Sequence, residues 1–493
     1  MSRGPIRCSG NTFVLRVRLE NRRVSRAWST GRMVRNTAVL LKNETDSQGR
    51  PQFVQQAHCI CNDAHALAAV RAIEDLAGLE TPPGARLVRS LVQAARLVQD
   101  HMAHVYQFHL ADWADPDEGR LPIHGHATWA LEARVCLDRA LGLLGFSAAG
   151  CRAYEVGGLP PDMDLGPAVL EELAGLVTQC RDFVEQTMLL DLADLAHTHA
   201  DQTHAGQARV GRSRALLCLG DLAPADLHED GPKHLFPAGL LLQNGDGGLA
   251  SPRPARLGDV SEEAVPDQAG EDARCYGLIP GPDGRPIAWP NNDFQGPTAP
   301  RMNGLACEVG PSARLLAACA RGHGPVLGTA RRFMNTAGLP LEALNSSLGR
   351  FLARGVESAV LVQTAGRWLE ALERHRHADD LRGSHAPNRP WTLPDSGTGT
   401  GRVEVARGSL THTIRLDDGR IERHDTLIPS LWNFSPRDGH GVPGPLEAAL
   451  EDMEVADPEQ PVEIMRVIHG MDPCNPCLVL VEDCGRTLLV NAP

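Results

Sequence analysis

Apolar side chains occupy every second position from Phe13 through Leu15 and Val17 to Leu19. That is the spacing of a strand with one face buried, so the pattern predicts a small sheet early in the chain. After Cys61 the period changes. Ala64 to Leu76, and then Leu87, Leu91, Ala95, Val98 and Met102, repeat at helical spacing, with Pro82, Pro83 and Gly84 breaking the run between them. Two helices are therefore expected directly after the cysteine. Further helical stripes cover 127–145, 167–197 and 341–374, each wide enough to bury one face in a bundle. Residues 220–300, rich in Gly, Pro and Asp, read as an irregular, partly strand-forming insertion. After a loop at Asp395 to Gly401, Val403–Leu416 and Ile421–Leu427 flank Asp417-Asp418-Gly419-Arg420, a turn composition that predicts a hairpin and a second small sheet. The expected fold class is α+β, mainly α: a helix bundle with small peripheral β-sheets, without internal repeats.

Composition narrows the function more than the fold. With 493 residues and 42% hydrophobic content, the chain can bury a large core as one big domain spanning 1–493. A net charge of -13, with no basic stripe interleaved with aromatics, speaks against nucleic acid as a partner. The N-terminal MSRGPIRCSG has no apolar core of a signal sequence, and no run of about 18 apolar residues offers a membrane span. Thirteen scattered cysteines suit reduced thiols plus a few ligands better than a disulfide framework, so a cytoplasmic location is expected.

The candidate chemistry lies in two cysteine clusters. Cys59-Ile60-Cys61 stands just before a helix, and Asp472-Pro473-Cys474-Asn475-Pro476-Cys477 stands 416 positions beyond it (477 minus 61). A Cys-x-x-Cys turn lets two thiolates reach one soft metal, and two such turns make a four-sulfur site. Spacing alone leaves a structural zinc site and unrelated buried thiols open.

The surrounding residues resemble the large subunit of nickel-iron hydrogenases over nearly the whole chain. The first motif of that family is similar to Gln56-Ala57-His58-Cys59-Ile60-Cys61-Asn62-Asp63-Ala64-His65, followed by Ala66-Leu67-Ala68-Ala69-Val70-Arg71-Ala72-Ile73-Glu74. Asp100-His101, Asp112-Trp113, Ala299-Pro300-Arg301, Glu308-Val309-Gly310-Pro311, Leu348-Gly349-Arg350, Ala353-Arg354-Gly355, Ala406-Arg407-Gly408, Pro429-Ser430-Leu431-Trp432-Asn433 and Asp472-Pro473-Cys474 match further landmarks, in the family's order. The resemblance implies a large-subunit-like helix bundle and a centre in which four cysteines hold nickel. The second cysteine of each pair also bridges to an iron carrying two cyanides and one carbon monoxide. Cys61 and Cys477 match the bridging ligands, and Cys474 matches a terminal one. Arg407 and Ser430 match the donors to the cyanides. His65 matches the histidine after the first motif, while Asp100 and Asp472 match the carboxylates that surround the arginine in a canopy over the metals.

The departures cluster. The first cysteine of the N-terminal motif falls on His58, with Cys59 displaced by one place, so nickel is left open and either residue could serve as the ligand. The family's proton-carrying Glu is Ser9 in Arg7-Cys8-Ser9-Gly10-Asn11, and a hydroxyl of high pKa is a poor substitute. The Gly-x-Glu of a magnesium site reads Asn36-Thr37-Ala38, and its C-terminal His falls on Leu480, so no magnesium is expected. In the family a nickel-dependent protease cuts just after that His. Leu480 offers no such residue, so residues 481–493 are expected to stay attached.

What serves iron and its diatomic ligands is kept, while nickel thiolation, proton transfer, magnesium and tail cleavage are weakened or lost. That pattern is most similar to the large-subunit-like accessory proteins of uptake hydrogenases: a non-catalytic scaffold that assembles or transfers the iron unit. Its partners would be hydrogenase maturation proteins and a large-subunit precursor. The alternative is a divergent catalytic subunit that oxidises hydrogen beside an iron-sulfur small subunit, with Arg407, Asp100 and Asp472 catalytic. His101, His104 and His109 read as bundle packing. His197, His199 and His204, near Asp194 and Asp201, read as a solvated polar face, and Cys484 as a buried thiol.

Overall fold

A computed structural model describes residues 13–29, 62–113, 122–147, 150–151, 154–160, 163–199, 210–225, 233–244, 251–256, 260–264, 279–280, 286–287, 298–375, 391–474 and 477–492. Strand β1 (Phe13–Glu20) buries the alternating Phe13, Leu15, Val17 and Leu19 as expected, then turns through Asn21 and Arg22, both at positive φ, into β2 (Arg23–Ser29). Helices α1 (Asn62–Ala77) and α2 (Pro83–Ala103) come next. Here the proline boundary is sharper than expected: Pro82 caps α2, while Pro83 and Gly84 belong to its first turn, where a missing N–H costs nothing. A buried Arg89–Glu74 ion pair at 2.8 Å ties the two helices.

The predicted 127–145 helix is α3 (Ala127–Leu143). The predicted 167–197 helix is α4 (Pro167–Phe183), a π turn at Val184–Met188 and α5 (Leu189–Thr198). Within the insertion, β3 (Ala215–Cys218) pairs with β4 (Gly239–Leu242). Two helices that the periodicity passed over come next, α6 (Pro311–Ala320) and α7 (Gly324–Thr336). The 341–374 helix is α8 (Ser347–His375), preceded by a separate 3-10 turn at Leu341–Leu344.

The expected hairpin is a three-stranded sheet. What read as a loop and one strand is β5 (Gly397–Val405) and β6 (Gly408–Asp417), joined at Ala406 and Arg407, with β7 (Arg420–Leu427) completing it. Glycine hid β5 from a reading based on side-chain alternation. A Cβ at Gly399 or Gly401 would collide with the Ala72 or Ala68 carbonyl of α1, so the glycines are what let this strand lie on the helix backbone. The short helices α9 (Pro429–Asn433), α10 (Pro445–Leu450) and α11 (Val462–Met471) then lead to β8 (Cys477–Asp483) and β9 (Arg486–Ala492).

Strand β8 pairs in parallel with β1, Phe13 opposite Cys477 and Val17 opposite Val481, giving a sheet of order β9-β8-β1-β2. Leu15, Val17, Val479 and Val481 from this sheet pack with Leu446, Ile464, Val467 and Ile468 from α10 and α11 in an apolar cluster of their own. The larger cluster fills the bundle of α1, α2, α3, α4 and α8. Cys484, expected to be buried, is exposed in the β8–β9 turn at φ 47.

Gly401→Ala should destabilise the chain by about 1–3 kcal/mol, because a carbonyl of α1 must move to admit the methyl group. Gly366→Ala, at a helical position with open space around it, should instead be neutral or stabilising by up to about 1 kcal/mol. Urea unfolding midpoints of the two variants check this contrast.

Candidate metal centre

Helix α11 stops at Met471 because Asp472 adopts the left-handed conformation, φ 52, and Pro473 cannot continue the helix. The turn presents the Asp472 carboxylate to the tip of the β5–β6 hairpin, where Arg407 Nη2 lies 3.2 Å from Asp472 Oδ1. Arg354 of α8 stands 3.9 Å from the other carboxylate oxygen and donates to the carbonyls of Arg350 (2.7 Å) and Gly470 (3.0 Å). One buried guanidinium thus holds both the last turn of α11 and the charge at its end.

The hairpin tip is held from below. Gly310 and Gly408, at φ 134 and 132, let the Val309–Gly310 backbone approach the turn, and Asn433 bridges them by accepting from Val309 N–H at 2.9 Å and donating to the Val309 carbonyl at 3.1 Å. Arg314 donates to the Val405 carbonyl at 2.8 Å and to Glu404 at 3.0 Å, and pairs with Glu357 at 2.6 and 2.7 Å. His101 completes this buried network, 2.7 Å from Glu357.

Ser430, buried in α9, accepts the Cys474 backbone N–H at 3.2 Å. Burial raises the Cys474 thiol above its ordinary range, with Ser430 and Arg407 pulling it back and Asp472 reinforcing the rise. Cys477, at the start of β8 in the apolar cluster, is pushed up to about 12 by burial alone. Both thiols therefore need a cationic partner to ionise, which is what a metal provides. Asp100, near the end of α2, is raised by burial, with Arg407 opposing and Asp472 adding to the rise, yet its side chain retains accessible surface. It couples electrostatically to both members of the Arg407–Asp472 pair.

The structure accordingly brings Asp100, Arg407, Asp472, Ser430 and Cys474 into one neighbourhood, with Cys477 three residues on. His65, in the first turn of α1, points elsewhere than a lone ligand would: its Nδ1 is 2.8 Å from His412 Nε2, and His412 Nδ1 is 2.8 Å from His424 Nε2. His58, Cys59, Cys61, Ser9 and Asn36 to Ala38 lie outside the described residues. The donor set that is described, the part-buried Cys474 thiol beside a guanidinium and a hydroxyl with the buried Cys477 thiol three residues on, suits a soft metal carrying anionic ligands. Sequence reading assigned no role to Arg354 or His412. The signal was there for Arg354: Arg350, Arg354 and Glu357 form a charged stripe in the first half of a helix whose other residues there are mostly apolar and buried.

Ser430→Ala removes the acceptor of a part-buried N–H and should cost about 1–3 kcal/mol, read by denaturation. Burial favours the protonated form of Glu357, but Arg314 and His101 outweigh it and hold this carboxyl at about 2. Its folded pKa lies below the ordinary 4.5, so its contribution is complete above about 4.5 and drains as pH falls toward 2. Melting temperature should fall over that window in the wild type. Glu357→Gln should be less stable at neutral pH by about 3–5 kcal/mol and show a flatter acid limb.

The profile of the nickel-dependent hydrogenase family matches residues 35–120 and 116–480. The hydrogenase-2 large chain of Escherichia coli is 28% identical over 96% of this chain and 95% of its own length. An uptake hydrogenase large subunit of Bradyrhizobium diazoefficiens is 27% identical over 92% and 90%. The Ni-Fe-Se hydrogenase from D. vulgaris Hildenborough superposes with a TM-score of 0.71 at 26% identity, covering 92% of this chain and 94% of the other. Among the described residues no helix is long and apolar enough to cross a membrane. With fold, landmark order and profile in agreement, the chain belongs to the nickel-dependent hydrogenase family as a homologue of its large subunits.

Proposed function

We propose that this chain is a cytoplasmic, non-catalytic scaffold in hydrogenase maturation, taking up an iron unit with two cyanides and one carbon monoxide as cargo and passing it to a large-subunit precursor. The observation that carries this reading is the segment around Leu480. In the family a protease that requires nickel cuts after a histidine at this point. Here Leu480 sits in the middle of β8, flanked by the fully buried Val479 and Val481, and the chain runs on into β9. Removing the residues after Leu480 would strip half of one strand and all of another from the first sheet. A chain without the cleavage residue, whose tail is part of its sheet, suits a protein that stops at the stage before nickel.

The residues that would hold the cargo are Cys61 and Cys477, with Cys474 and either His58 or Cys59 beside them. Arg407 and Ser430 would donate hydrogen bonds to the cyanide nitrogens, which require donors in a dry pocket. Arg407 is positioned for this by Asp472 on one side and by the Arg314-anchored hairpin on the other. Ser9 in place of a carboxylate is no obstacle to a scaffold, which moves no protons in turnover. Partners would be the proteins that deliver cyanide and carbonyl groups, a small chaperone and the precursor itself.

One observation favours a second reading. The Asp100–Arg407–Asp472 canopy is assembled, and a hydrogen-oxidising subunit working with an iron-sulfur small subunit would use Arg407 and the carboxylates to hold and move protons above nickel and iron. Infrared spectroscopy with elemental analysis separates the two. The scaffold predicts cyanide and carbonyl bands, iron, no nickel and no hydrogen uptake, with an intact mass that includes the residues after Leu480. Stoichiometric nickel with robust hydrogen oxidation would establish the second reading instead, and zinc alone or no metal would defeat both.

A further inference from the structure

A second group of ligand-type side chains lies beside the last turn of α11, next to Asp472. His104 opens the π turn His104–Phe108, His109 comes directly after it, Asp112 lies in the 3-10 turn Leu110–Trp113, and His469 lies in the last turn of α11. His469 Nδ1 is 2.6 Å from Asp112 Oδ2, and His109 Nδ1 is 4.0 Å from the same oxygen. The His109 and His469 rings stack with centroids 4.2 Å apart. Among the described residues His109 Nδ1 is buried with no hydrogen-bond partner, an arrangement that costs free energy unless something else satisfies the nitrogen. One ligand atom from each of His109, Asp112 and His469 lies within 4.8 Å of the other two.

The cluster also has the support that metal-binding imidazoles usually have. His104 Nε2 donates to the His469 carbonyl at 2.8 Å, and the His104 ring packs edge-on to His109 at 4.4 Å, so the segment carrying His109 is fastened to α11 from behind. Burial and the neighbouring His469 hold His109 down at about 4, so it is neutral at physiological pH, the form that ligates. His104, His109 and Asp472 form an overlapping set within the same 4.8 Å. That set is the poorer cation site, because Arg354 stands 3.9 Å from Asp472 and Arg407 3.2 Å from it. Asp112 is only part-buried, which gives an ion a way in.

We propose that His109, Asp112 and His469 bind one divalent transition-metal cation of the zinc class, at a site separate from the cysteine centre. The cation takes the place of the proton between His469 Nδ1 and Asp112 Oδ2, the ring proton of His469 moving to Nε2, and gains His109 Nδ1 as a third ligand; water completes the coordination. No thiolate takes part, so the site tolerates a harder ion than the cysteine centre does.

The full chain with Cys59, Cys61, Cys474 and Cys477 all changed to Ser is the protein to test, loaded with cobalt(II), gel-filtered and measured by elemental analysis and visible absorption. The expected result is about one cobalt per chain with a nitrogen–oxygen ligand spectrum and no thiolate charge-transfer band. His109→Ala or His469→Ala in that background should weaken binding by roughly 10-fold or more, while His104→Ala should retain the metal. No cobalt retained, or retention indifferent to His109→Ala, would overturn the site; loss in His104→Ala with retention in His469→Ala would overturn the ligand assignment. If the four-serine chain does not fold, zinc(II) titration of the wild type against His109→Gln decides. A zinc-dependent rise in melting temperature that the variant lacks supports the site, and equal shifts refute it.

Discussion

Arg314 is the fixed point on which the neighbourhood of Arg407 rests. Its guanidinium is fully buried and spends its donors on Glu357 of α8, on Glu404 and on the carbonyl of Val405. A charge in that position is tolerable only with its partners in place, so the bundle, α6 and the β5–β6 hairpin are obliged to come together in one arrangement. Everything at the hairpin tip inherits that arrangement. Arg407 is two residues from Val405, and its carbonyl side is closed by Gly310 and Asn433. The direction in which Arg407 points is set in part by a second guanidinium, that of Arg314, which anchors the strand before it.

The elements legible from the sequence were those whose side chains carry a period. Phe13 to Leu19 and the helices after Cys61 came through because packing is what makes them, and packing leaves a repeat of two or of 3.6. β5 did not, because its contact with α1 is made by the absence of side chains at Gly399 and Gly401, which reads as a loop. Helix α6 was missed for another reason: it is short and buried over most of its surface, so no polar face marks it.

The candidate centre was legible in a different way, through landmark residues rather than period. Arg407, Ser430, Asp100, Asp472 and Cys474 come from separate stretches of the chain and converge, which local pattern could not have shown. What stayed hidden were groups that act on other groups. Arg354 and Arg314 hold the landmarks in place, and His104 and His109 look like ordinary bundle histidines until they meet His469, 365 and 360 positions away (469 minus 104 and 469 minus 109). Such pairings depend on the fold and have no sequence spacing of their own.

The parallel pairing of β1 with β8 sets a schedule as well as a shape. In the chain Phe13 precedes its neighbour in the sheet, Cys477, by 464 positions (477 minus 13). Without β8, β1 has only β2 to pair with and one edge left open, and α10 and α11 lack part of the apolar face they pack against. The start of β8 at Cys477 therefore takes its place only when two distant strands meet. Closure of this sheet is therefore a long-range step that local hairpin formation cannot supply.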